Sequence, residues 1–185
     1  MTPEEFERIV RSRAARIAVV PSAVRGRGNK GTVAAARAYL RDLDLRCFAT
    51  SSPEAFLGAL NDATDRLQRA LPPAARHWGV ARKVLNIFLR DCLYTTYLSH
   101  FALSKAESFL ELPLDSVTAD QLKKAVGRGA LPPWPGVKRV TPGLNRLFQS
   151  AALQIAKTKG VHRVHLDALW WSFSRDDANS PGVGD

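Results

Sequence analysis

Apolar positions recur along this chain at spacings of three and four residues, and most runs are bounded by residues that start or stop helices. The first run opens at Thr2-Pro3-Glu4-Glu5, where a hydroxyl cap, an early proline and two carboxylates near the positive helix end agree, and it extends to about Val19. Residues 21–31 carry three glycines, two arginines and a lysine and read as a basic loop. An alanine-rich helix covers Thr32 to Leu43. Another starts at Ser52-Pro53-Glu54, places Phe56, Leu57, Leu60, Ala63, Thr64 and Leu67 on one face, and stops at Leu71-Pro72-Pro73. From Gly79 to Leu103 apolar residues occupy nearly every face, which predicts a buried central helix over about 80–103. Arg82, Lys83, Asn86, Arg90 and Asp91 interrupt that run, so it does not supply the roughly 20 apolar residues of a membrane span. The turn Pro113-Leu114-Asp115 opens a shorter helix to about Val126, and the three prolines between Leu131 and Gly136 predict a rigid loop. Thr141-Pro142 opens a helix that Gly160 ends, and a last helix covers about Val164 to Phe173. With no run of alternating β-branched residues, the expected fold is all-α, a compact multi-helix domain over 1–173 with a tail at 174–185.

Composition sharpens this picture in two places. Two cysteines, Cys47 and Cys92, are too few for a disulfide framework or a four-thiolate metal site, and no charged-then-apolar leader is seen, so a reducing cytoplasm is expected. Lys plus Arg is 27 against 17 for Asp plus Glu, a formal charge of +10. The excess is concentrated: between Arg8 and Arg46 there are ten basic residues and two acidic ones. A local excess of this size favours a phosphate backbone as partner over a merely solvated face, and Arg25, Arg27 and Lys30 in the glycine-rich loop are candidates for that contact.

Candidate chemistry lies in the middle of the chain. The run Trp78-Gly79-Val80-Ala81-Arg82-Lys83-Val84-Leu85-Asn86 is a glycine turn leading into the buried helix, and Asp115 follows Lys83 by 32 residues in Leu112-Pro113-Leu114-Asp115-Ser116-Val117-Thr118-Ala119. The pair resembles the helix-hairpin-helix DNA glycosylases, in which a Gly-Val-Gly-X-Lys hairpin presents a lysine and a downstream Pro-Val-Asp turn presents an aspartate. The interval is most like the archaeal 8-oxoguanine glycosylase branch. That resemblance implies a helix-hairpin-helix glycosylase fold and double-stranded DNA with a flipped base as partner. It further implies that Lys83 attacks the sugar C1′ and that Asp115 activates the amine and stabilises the cationic sugar. Bifunctional members then cleave the strand by β-elimination. It also places Gly79, Ala81 and Arg82 at the DNA backbone, with Trp78 where the family has proline and Ala81 where it has its second glycine. No cysteine quartet follows, which excludes the iron–sulfur subgroup, and no cofactor is implied.

The residue types fit this chemistry on their own terms. A lysine in the first helical turn, at the edge of an apolar core and beside the like charge of Arg82, is pushed toward the neutral, nucleophilic amine. A nearby carboxylate opposes that shift and accepts protons. The alternatives are that Lys83 extends to solvent and that Asp115 is an ordinary helix cap. The protein would then be a non-catalytic nucleic-acid-binding module, or a helical interaction protein of a defence or toxin system. Trp78, Trp134, Trp170 and Trp171 are candidates to stack on an extruded base, against a plain core role. His162, His165 and Asp167 form a run with metal-ligand residue types, read here as the polar edge of a helix, with Asp167 able to orient a group near the site. A monomer is expected.

Overall fold

The computed structural model describes residues 1–20 and 31–170, so the basic loop and the C-terminal tail lie almost wholly outside it, as do Arg25, Arg27, Lys30 and Trp171. Six α-helices carry the fold: α1 (Pro3–Ala18), α2 (Thr32–Asp42), α3 (Pro53–Ala70), α4 (Trp78–Tyr94), α5 (Ser116–Val126) and α6 (Pro142–Thr158). Short 3-10 turns join them, residues 166–170 are helical, and no strand occurs among the described residues. None of the described helices is long and apolar enough to cross a membrane.

Four of the helices begin where a side chain can satisfy the orphan amides of the first turn. Thr2 and Glu5 form a reciprocal capping box at α1, Ser52 accepts from Ala55 N–H at α3, and Thr141 accepts from Leu144 N–H at α6. Asp115 caps α5. Proline stands at the first helical position of α1, α3 and α6, where its missing N–H costs nothing.

Buried apolar side chains form two clusters. The larger joins α1 to α4 with the 3-10 turns that follow α4, around Leu40, Phe48, Phe56, Leu60, Leu85 and Phe88. The smaller joins α5, α6 and 166–170 around Leu112, Leu122, Phe148, Leu166 and Trp170. α4 belongs to the larger cluster and also contacts α6.

The central helix is shorter than the pattern predicts. It ends at Tyr94, where Thr95 Oγ1 donates back to the Asp91 carbonyl at 2.7 Å, and Ala102, in the left-handed region at φ +55°, separates two 3-10 turns. Side-chain back-bonding of this kind competes with helix propagation. Tyr94 and Tyr97, which lie within the stretch that predicts the buried helix, are exposed.

Candidate functional site

Lys83 and Asp115 meet. Lys83 Nζ is 3.1 Å from Asp115 Oδ2, with side chains 13% and 30% exposed. Asp115 Oδ1 accepts the N–H groups of Val117 and Thr118, both at 3.0 Å, while Oδ2 faces the amine. The two readings of this aspartate are therefore compatible: one oxygen caps α5 and the other engages the lysine. Thr118 closes the box by accepting from Asp115 N–H at 2.8 Å and donating to the Pro113 carbonyl at 3.0 Å. Lys83 is in the second turn of α4, not the first, because the helix starts at Trp78. The helix dipole, which fades beyond the first turn, therefore adds less to its reactivity than the sequence predicts.

A second acid adjoins the pair. Asp167 is buried and ion-paired with Arg90, which also contacts Asp91 at 3.2 Å. Burial pushes the Asp167 carboxyl up from its ordinary range, and the Asp115 carboxylate adds to this; the Arg90 and Lys83 cations pull it down. Two carboxylates thus act within electrostatic reach of a single amine.

The predicted phosphate-binding hairpin is not presented to solvent. Gly79 and Ala81 are buried, and a methyl group added at Gly79 would overlap the Val137 carbonyl oxygen and crowd Val140 Cβ at 2.7 Å. This glycine therefore serves close packing of α4 on residues 137–140. Arg82 is only 3% exposed, and its fork closes on Glu111 through Nε at 2.8 Å and Nη2 at 3.0 Å. Its Nη1 reaches Asn61 and Thr64 of α3. In the structure Gly79, Ala81 and Arg82 serve internal packing and pairing, and the Arg82 charge is matched by the Glu111 carboxylate.

Glu111 was not singled out by its sequence, and it is the polar centre of the molecule. Besides Arg82 it accepts from Asn86 Nδ2 at 3.1 Å and from Asn145 Nδ2 at 3.2 Å. Burial alone would raise its carboxyl, but the Arg82 charge and hydrogen bonds, with lesser help from Arg163 and Asn86, outweigh burial and hold it below the ordinary range. A signal existed: Glu111 sits between two leucines, and Asn145 and Gln149 fall on the otherwise apolar face of α6 with Phe148 and Ala152. Polar groups at buried positions require partners.

The tryptophans are mostly structural. Trp170 belongs to the smaller cluster, and Trp134 packs edge-on against Phe148 with ring centroids 5.4 Å apart. Trp170 is buried and Trp134 is half-buried. Half-buried Trp78 has the Arg82 guanidinium 5.3 Å from its ring centroid. His165 spends its ring nitrogens on Glu107 and Tyr94, each at 2.8 Å.

The basic N-terminal third is likewise partly structural. Arg37 donates to the Val19 carbonyl at 2.9 Å, Arg11 donates to the Leu43 carbonyl, and Arg41 pairs with Asp42. Arg8, Arg13, Arg16 and Arg46 remain exposed. No family model, curated protein or solved structure matches this chain.

Proposed function

We propose that the protein is a DNA glycosylase that attacks the sugar of a flipped, modified nucleotide through Lys83, with Asp115 as proton acceptor. The observation that carries this reading is the 3.1 Å contact between the Lys83 amine and the second oxygen of a helix-capping carboxylate. Holding nucleophile and base together before substrate arrives removes much of the entropic cost of bringing them together. Asp115 Oδ2 takes a proton from the Lys83 ammonium. The neutral amine then forms a bond to C1′, while the glycosidic bond breaks and its electron pair leaves with the base, which takes up the proton that the nitrogen sheds. Asp115 gives its proton to the ring oxygen as the sugar opens to a Schiff base; the freed carboxylate then accepts a C2′ proton, β-elimination expels the 3′-phosphate, and water releases the lysine. Asp115 also stabilises the positive charge that develops on the sugar. The exposed arginines Arg8, Arg13, Arg16 and Arg46 and the overall charge of +10 suit a polyanionic substrate.

The test is base release from duplex oligonucleotides, each carrying one modified base, with 8-oxoguanine first. The Asp115→Asn protein is expected to bind duplex as the parent does and to release base at least about 10²-fold more slowly, the low end for loss of a general base. Equal rates for the two proteins, or no base released from any duplex by the parent, would remove the assignment.

A further inference from the structure

The Lys83–Asp115 pair is partly open to water, and a pair so placed fixes its own geometry weakly, because solvent competes and two side chains must be ordered. Immediately beside it, one residue before Lys83 and four before Asp115, lies the almost fully buried bidentate pair of Arg82 and Glu111. We propose that this buried pair is the positioning device of the site, fixing α4 against the 110–115 segment and so setting the separation of amine and carboxylate.

Three features support the role. Glu111 collects donors from α4 (Arg82, Asn86) and α6 (Asn145), so three pieces of the chain are tied at one carboxylate, and Arg82 extends the network to Asn61 and Thr64 of α3. One residue on, Gln149 grips both the N–H and the carbonyl of Leu112, at 3.0 and 2.8 Å. Thr118 then holds Pro113 and Asp115, so the path from Glu111 to Asp115 is fixed at all but Leu114. Neither Arg82 nor Glu111 touches Lys83 Nζ or the reacting atoms, and their influence is on register. The geometric claim stands by itself; its catalytic consequence rests on the glycosylase reading.

Glu111→Asp tests the claim, since it keeps the buried charge and withdraws the carboxylate by one methylene. Arg82→Lys, which keeps the charge and gives up the two-pronged contact with Glu111, is read in the same way should Glu111→Asp fail to fold. Two quantities are measured: acylation of Lys83 by acetic anhydride, read by peptide mass spectrometry against the other lysines of the same sample, and kcat and KM for base release. In either folded variant Lys83 is expected to react several-fold faster than in the wild type, approaching Asp115→Asn, while other lysines keep their rates. With Glu111→Asp, kcat is expected to fall on the order of 10²-fold, as for a displacement of about 1 Å, with KM unchanged. Wild-type acylation of Lys83 in the folded variants overturns the proposal. Faster acylation together with no base release by the wild type keeps the positioning role and removes the glycosylase reading. Base release with unaltered kcat in the variants does the reverse.

Discussion

Glu111 and Asp115 lie four residues apart, yet water treats them differently. Asp115 is 30% exposed, and an ion pair at such a place contributes about 0–1 kcal/mol. Glu111 is surrounded by four nitrogen donors inside the protein, and removing one partner of a buried pair of this kind costs roughly 3–5 kcal/mol because the other charge is left uncompensated. Its carboxyl is held below the ordinary glutamate value of 4.5, so its contribution is complete above that value and is lost as pH falls through the lower folded value. The gap in thermal midpoint between wild type and Glu111→Gln should therefore be constant from neutral pH down to about 4.5 and should close on further acidification. A gap that widens in acid would contradict the lowered carboxyl. At this scale Lys83 and Asp115 were legible because each stands in a short motif with a turn residue beside it. Glu111 was not, since a single glutamate before a proline turn looks solvated until the helices that enclose it are in place.

Helix starts were written locally and were read correctly at Thr2, Ser52, Asp115 and Thr141, because a cap and its first turn involve only neighbouring residues. The end of α4 was misread. Apolar character on every face persists beyond Tyr94, yet the helix ends there, where the Thr95 hydroxyl bonds back to a carbonyl and Tyr94 stacks on His165, which is distant in sequence. Gly79 shows the same limit, since it reads as a phosphate-binding turn and serves a close helix contact. Gly58 in α3 provides the contrast, with open space around it. Gly79→Ala is expected to destabilise by about 1–3 kcal/mol through overpacking against backbone that cannot yield. Gly58→Ala is expected to stabilise by roughly 0.5–1 kcal/mol through reduced chain entropy in the unfolded state. Chemical denaturation of both variants checks the pair, and equal effects would contradict the packing described for the start of α4.

At the scale of the molecule, two apolar clusters meet along a polar seam that runs down α4 through Arg82, Lys83, Asn86 and Arg90. The all-α class was legible from periodicity. The seam was not, because its polar residues are interleaved with core residues on the same helix and only the packing of α6 and the 110–115 segment gives them a common purpose. Net charge was misleading in detail: Arg11 and Arg37 of the N-terminal third spend donors on backbone carbonyls where neighbouring helices end. Whether the seam houses chemistry turns on Lys83 becoming covalently joined to a sugar. Borohydride reduction during incubation with duplexes bearing modified bases would fix that adduct. The wild type should yield a protein–DNA conjugate with the modified peptide at Lys83, and Lys83→Gln should yield none while still binding DNA. A conjugate formed equally well by Lys83→Gln, or none from the wild type on any duplex, would contradict the account.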